Sequence, residues 1–198
     1  MPETKRPIPR ARRIVVIYLV GGAPRAGKSI LGQQVAANLK IGWISTDLLL
    51  TILGMTDVEG IKTEWNATPE VITANAEWFF PYFERFVWGA SSLAENYLIE
   101  GVDFLPAQVK QLATQYPLKA VFLGCSNMTL EHFDQYPGRS RGYSGLPEEL
   151  RRQFAKDVPL WSEFIRRECE SFGYPYIDTV NNFPRQLAHA ESILTTSL

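Results

Sequence analysis

The sequence predicts an α/β fold built on a parallel five-stranded sheet. Three observations carry that expectation. Five short apolar runs rich in β-branched and aromatic residues suit strands buried on both faces: 14–20, 41–46, 96–102, 118–126 and 174–180. Stretches with apolar residues at helical spacing lie between them, and that alternation calls for right-handed crossovers. A Gly-rich turn, GGAPRAGKS (21–29), joins the first run to the first helix.

The chain opens on a basic segment, KRPIPRARR (5–13), followed by IVVIYLV (14–20). Together they imitate the charged and apolar regions of a secretory leader. The apolar run feeds directly into the Gly-rich turn, so it reads as the first core strand. The basic segment then reads as a solvated, mobile arm (1–13), with a contact to nucleic acid or a partner as the lesser alternative.

The turn fits G-x-x-x-x-G-K-[ST], with Gly22, Gly27, Lys28 and Ser29 at the fixed positions. Helical spacing follows in Ile30, Leu31, Val35, Ala36 and Leu39. A strand before such a loop and a helix after it aim backbone N–H groups at one point, where an anion binds. Residues Gly22, Ala23, Pro24, Arg25, Ala26, Gly27, Lys28, Ser29 and Ile30 are therefore expected to hold the phosphates of ATP. Lys28 would reach the β- and γ-phosphates, and the Ser29 hydroxyl would take a place on Mg²⁺. Lys28 is expected at the rim of the loop, where its removal would disturb folding little. The plainer alternative is a packing turn between strand and helix.

In such sheets ligands sit at the carboxyl ends of the strands, which selects the polar residues there. Asp47 follows the second strand. It is placed to accept a proton from a substrate hydroxyl or to hold that hydroxyl in line, or else to cap the LLLTIL helix after it. Residues 47–95 read as a helical insertion rich in aromatics that belong to a core or a lid. Thr68-Pro69-Glu70 signals a helix start, with a kink expected near Pro81. Glu100 ends the third strand and suits a Mg²⁺-bound water beside Ser29, against the alternative of a solvated strand end; Asp103 is a weaker candidate for substrate binding. Helices are expected over 106–115 and 127–135, flanking the fourth strand and its terminal Ser126 and Asn127.

The segment 134–145 is rich in Gly and Arg. Arg139 and Arg141, with Arg151 and Arg152 at the start of the next helix (146–173), read as a lid over residues 134–152 that neutralises a transferring phosphoryl group. The alternative is a solvated basic patch, where Arg166 and Arg167 more naturally belong; an interruption of this helix is expected at Pro159. Arg85 could meet an anionic substrate or lie on the surface. The fifth strand ends near Asp178, Asn181 and Asn182, before a last helix over 184–195.

Composition sets outer bounds. The chain has 198 residues, net charge −1 and 45% hydrophobic residues, ordinary for one globular domain. Nothing in that balance favours nucleic acid or an acidic membrane as a partner. Cys125 and Cys169 form no metal-ligand pattern and read as reduced thiols of a cytoplasmic protein. No run of about 18 apolar residues is present, so no membrane span is expected. His132 and His189 are isolated, and no Ser/His/Asp arrangement stands out.

The order of these parts resembles the adenylate-kinase-like P-loop kinases. The resemblance is carried by GGAPRAGKS, the Asp after strand two, the helical insertion, the IEG tip of strand three and the Arg-rich segment before the last strand. It implies one P-loop NTPase domain over 1–198, a three-layer sandwich with strand order 2-3-1-4-5. It also implies ATP with Mg²⁺ and transfer of the γ-phosphoryl group to a hydroxyl of a small acceptor. ISTD and IEGVDFLP are similar in style to 2-phosphoglycerate kinase and the zeta-toxin-like small-molecule kinases, which carry EG-x-x-x-x-P at strand three. A 2-phosphoglycerate-like acceptor is thus among those implied. The D-G-F/Y-P-R signature of nucleoside monophosphate kinases is absent, which argues against that acceptor class. Two rivals stand beside this reading. One is a regulatory nucleotide-binding module, which would want an N-K-x-D base signature that is missing. The other is a nucleic-acid-associated ATPase using the basic arm.

Overall fold

Ile17–Gly22 forms the central strand, β1, buried along its whole length. The computed structural model describes residues 15–54, 67–93, 95–135 and 146–196. After β1 come α1 (Lys28–Leu39), β2 (Gly42–Ser45), α2 (Thr46–Gly54) and α3 (Pro69–Ser92). The chain continues through β3 (Tyr97–Glu100), α4 (Pro106–Leu112), β4 (Leu118–Gly124) and α5 (Leu130–Gln135). It closes with α6 (Glu148–Phe172), β5 (Tyr176–Asp178) and α7 (Phe183–Thr195).

The five strands are parallel, in the order β2-β3-β1-β4-β5. This is the order expected. Alternation along each strand divides the core in two. Ile17, Leu19, Ile99 and Phe122 face α3, α4 and α6, meeting Phe79, Phe83, Val109, Trp161 and Ile165. Tyr18, Val20, Leu98 and Val121 face α1 and α7, meeting Leu31, Val35, Leu187 and Leu194. The result is three layers, with Ile17–Gly22, the strand that continues the leader-like apolar run, at the centre of the sheet.

The aromatics of α3 are core where they face inward. Phe83 stacks on Phe104 with centroids 4.6 Å apart, and Phe104 meets Phe122 edge-on at 6.1 Å. Gln108 ties this layer together: its Oε1 accepts from Leu105 N (3.0 Å) and its Nε2 donates to Ala76 O (2.7 Å). Trp65 lies outside the described residues.

Several boundaries differ from the expectation. The first strand runs on through Gly21 and Gly22, because these pair with Phe122 and Leu123 of β4. Thr46 belongs to a helix rather than a strand. Pro159, where an interruption was expected, lies inside a continuous helix, as Pro81 does. Each removes one ladder donor. Buried Phe79 and Phe83 around Pro81, and Val158 and Trp161 around Pro159, hold the helix to the core on both sides of the gap. Among the described residues no helix is long and apolar enough to cross a membrane.

Candidate functional site

The carboxyl ends of β1, β2 and β3 meet at one level. In the register Val20 pairs with Glu100, and Ser45 also pairs with Glu100. Whatever follows these strands therefore converges on one place. Three segments do: the Gly-rich loop after β1, the start of α2 after β2, and Gly101–Asp103 after β3.

The loop leaves β1 through Gly22, whose φ of 123° favours glycine. A Cβ there would lie 2.0 Å from Leu123 O. Ala23 N then donates to that same carbonyl at 2.8 Å, which fixes the exit of the loop. Gly27 caps α1 in the left-handed region. Ile30 N and Leu31 N both donate to Gly27 O. The N–H groups of Lys28 and Ser29 lie ahead of the helical ladder and remain for an outside acceptor. The end of the helix dipole adds partial positive charge at the same spot. This is an anion cradle with a positive end.

Lys28 is 7% exposed and its Nζ donates to Ala23 O at 2.7 Å. The sequence placed it at a rim; it is buried, because the loop wraps back over it. Burial pulls its ammonium below the usual lysine range, while the nearby carboxylates of Glu100, Asp47 and Asp103 act in the opposite sense. Ser29 donates its hydroxyl to Glu100 Oε1 at 3.0 Å. Glu100 is only 2% exposed, so the solvated strand end is corrected to a buried carboxylate joined to the loop. Ser29 and Glu100 supply oxygen donors of the kind a hard cation prefers. Among the described residues no group of three His, Cys, Asp or Glu could hold a metal unaided. A cation held by this pair has to complete its shell with water and ligand oxygens, as Mg²⁺ commonly does.

Asp47 is exposed and sits in the first turn of α2. It is not the residue ahead of the helix: Ser45 Oγ accepts from Asp47 N at 3.3 Å and does the capping expected of Asp47. Its carboxylate is within electrostatic reach of Lys28 and Asp103, which brings it to the phosphate loop. Thr46, wholly buried, donates to Asp103 Oδ2 at 2.6 Å. Neither Ser45 nor Thr46 was singled out from sequence. Their only signal is two small hydroxyl residues between a strand and an Asp.

Burial pushes the Asp103 carboxyl up to about 6. The Thr46 hydroxyl pulls it down; Asp47 pushes it up, Lys28 pulls it down and Glu100 pushes it up. A carboxyl raised from 3.8 in this way stabilises the fold fully below pH 3.8 and loses that contribution as pH rises to about 6. Asp103→Asn should therefore raise stability at pH 7 by about 2 kcal/mol and flatten its dependence between pH 4 and about 6. Urea unfolding of both proteins at pH 4.5 and pH 7 checks this; a parallel pH dependence in the variant refutes it.

The remaining candidates scatter. Arg139 and Arg141 lie outside the described residues, as does most of the expected lid. Arg152 pairs with Glu148 across one turn of α6, on the surface. Arg166 and Arg167 pair with Glu163 on the same helix, as a solvated face should. Arg85 lies over the Trp88 ring at 3.8 Å, both residues exposed, which is the surface role rather than the substrate role. Asp178 accepts from Ser126 N (3.3 Å) and Val180 N (3.1 Å), so it braces the loops after β4 and β5. Asn182 caps α7, accepting from Arg185 N at 3.4 Å. His132 meets Thr129 (3.2 Å), and both cysteines are free and buried.

No protein-family model matches the chain, and no curated protein matches it by sequence. Solved structures do. Shikimate kinase from Bacteroides thetaiotaomicron matches with a TM-score of 0.53 and 16% identity, over 91% of this chain and 98% of that one. A gluconokinase from Sinorhizobium meliloti 1021 matches at 0.49 and 17% identity, over 93% of each chain. Shikimate kinase from Acinetobacter baumannii in complex with shikimate matches at 0.46 and 19%, over 90% and 91%. At these identities the likeness is one of fold, and only the first match is used to argue it. The chain shares the three-layer, 2-3-1-4-5 parallel-sheet fold with that shikimate kinase structure.

Proposed function

We propose that this chain is an ATP-dependent kinase that transfers the γ-phosphoryl group to a hydroxyl of a small metabolite. One observation carries the reading: the phosphate loop, with Lys28 and the Ser29–Glu100 pair, converges with the Asp47 turn at the carboxyl ends of β1, β2 and β3. A packing turn has no use for a buried lysine surrounded by three carboxylates.

In this reading the loop N–H groups ahead of the α1 ladder, those of Lys28 and Ser29 among them, hold the polyphosphate, and Lys28 turns from Ala23 O to the β- and γ-phosphates. Arriving negative charge compensates an ammonium that burial disfavours. Ser29 and Glu100 would hold Mg²⁺, which neutralises phosphate charge when bound. Glu100 also orients the Ser29 hydroxyl. Asp47, exposed beside Lys28, orients the acceptor hydroxyl and takes its proton as the new P–O bond forms and the bond from the γ-phosphorus to the bridging oxygen breaks, with ADP leaving. Transfer then depends on position and charge rather than on a covalent intermediate. Residues 47–95 supply the acceptor side, and Arg139 and Arg141 are assigned to charge neutralisation on sequence grounds. A 2-phosphoglycerate-like acid is one acceptor class to test. Arg85, occupied at Trp88, gives α3 no cation aimed at such an acid.

The test is a screen of purified protein with ATP and Mg²⁺ against plain and phosphorylated hydroxy acids, sugars, polyols and amino alcohols. ADP release above the acceptor-free rate with at least one of them supports the reading. ATP binding without transfer to any would favour a regulatory module. Glu100→Gln tests the metal pair. It should raise the magnesium needed for half-maximal activity about 10- to 100-fold, and an unchanged magnesium titration removes Glu100 from that role.

A further inference from the structure

Thr46 follows β2 and Asp103 follows the neighbouring strand β3; 57 positions apart in sequence, they meet at the same end of the sheet and are joined at 2.6 Å. The hydroxyl is wholly buried, so water cannot replace its partner. The contact is shaped on a third side by Gly101. A Cβ there would lie 1.9 Å from Thr46 Oγ1 and 2.7 Å from its Cβ. Gly101 N also donates to Val20 O at 3.1 Å, extending β3 one residue past its end beside β1. The tip of β3 is therefore held to the phosphate-loop strand on one side and to Thr46 on the other.

Thr46 is the first residue of α2, and the next residue is Asp47. Ser45 contributes only a 3.3 Å contact to Asp47 N. Leu49, Leu50 and Leu53 pack partly buried against the core, while Leu48 and Ile52 on the other side of α2 are exposed. Thr46 is the one fully buried residue of α2, so its hydroxyl bond is the polar anchor of the first turn. From this geometry we infer that Asp103 is a positioning residue: through the Thr46 hydroxyl it fixes the first turn of α2 and so sets the Asp47 carboxylate relative to Lys28. The role rests on the kinase reading given above. It differs from the weaker substrate-binding role first considered for Asp103, because the carboxylate oxygen that makes the bond is directed at Thr46. Asp47 on α2, Lys28 on α1 and Glu100 on β3 are the charged groups that face Asp103.

Four variants of the full chain test the inference: Asp103→Ala, Thr46→Val, Gly101→Ala and Asp103→Asn. The first two delete one side of the bond, the third wedges it open, and Asn keeps an acceptor oxygen. The first readout needs no activity. Amide hydrogen exchange should speed up at 46–49 in the first three variants, by at least tenfold, and stay near wild type in Asp103→Asn. The second readout is turnover on the acceptor found by screening. The same three variants should lower kcat about 10- to 100-fold with ATP affinity unchanged, and Asn should restore it to within about threefold. Placed on Asp47→Asn, Asp103→Ala should add little further loss, because both act on one carboxylate.

Uniform exchange at 46–49 across all four variants overturns the anchor. Asp103→Asn as inactive as Asp103→Ala overturns it in favour of direct contact with the substrate. Additive losses with Asp47→Asn overturn the route through Asp47. A wild-type protein that transfers phosphoryl to nothing overturns the kinase reading and the positioning role with it, and the exchange data then decide the Thr46–Asp103 contact alone. Gly101→Ala guards against a misfolded Asp103 variant, since it leaves every charge in place.

Discussion

Lys28→Ala is expected to lower phosphoryl transfer by at least ~100-fold, the scale on which enzymes lose rate when one preorganised electrostatic donor is removed. Lys28 is held in the loop by Ala23 O at 2.7 Å and is nearly inaccessible. A short turn of the side chain brings its charge to where phosphate oxygens would lie. No other lysine stands in the phosphate loop (21–29). The burial of Lys28 changes what should happen to the fold. The sequence placed it at a rim, which implied a silent effect on stability. In the structure, its loss leaves Glu100, 2% exposed, without the cation that faces it. Alanine should therefore destabilise the apo protein, and more at pH 8 than at pH 5, because Asp103, pushed up to about 6, is then ionised without the cation that offsets it. Calorimetry with ATP, turnover and urea unfolding at the two pH values separate these effects. Undiminished ATP binding with intact turnover would sink the phosphate-loop assignment.

Asp47→Asn should lower transfer by roughly 10²–10⁴-fold, the range of a general base, while ATP affinity stays near wild type. The substitution keeps the size of the side chain and removes its charge and its capacity to take a proton. The helix start survives, because Ser45 is the group that meets Asp47 N. The loss of a first-turn acid from α2 should cost under ~1 kcal/mol through the helix dipole. If Asp47 acted through Mg²⁺, ATP-Mg²⁺ affinity would fall together with the rate. If it were only a surface residue of α2, rate, affinity and melting temperature would all hold. Melting temperature, ATP titration and turnover on this one variant distinguish the three, and unchanged turnover removes Asp47 from the machinery.

Much of the Gly-rich loop's form was legible because its signal is local. A loop whose backbone must turn sharply, receive an anion and start a helix needs particular residues at fixed spacing. Gly22, Gly27, Lys28 and Ser29 show that spacing without reference to the rest of the chain. Glu100 was legible through the rule that places ligands at strand ends. Thr46 was not, since a threonine between a strand and a helix has many ordinary uses. Its meaning depends on Asp103, 57 positions away. Pro159 misled for a related reason. Local propensity weighs the missing donor, whereas the continuity of a long helix is decided by what its two halves bury.

The sequence by itself determined the class of fold, the alternation of strands and helices, and the address of the Gly-rich loop between β1 and α1. These follow from periodicity and backbone geometry, which act over a few residues. Only the tertiary structure decided which polar groups share a site. It buried Lys28, joined Ser29 to Glu100, gave the capping of α2 to Ser45 and freed Asp47, and tied Thr46 to Asp103. It also sent Arg85, Arg152 and Arg166 to the surface. The reason is the register of a parallel sheet. Val20, Ser45 and Glu100 stand level only because β1, β3 and β2 pair as they do, and that pairing is set by burying both faces of the sheet at once.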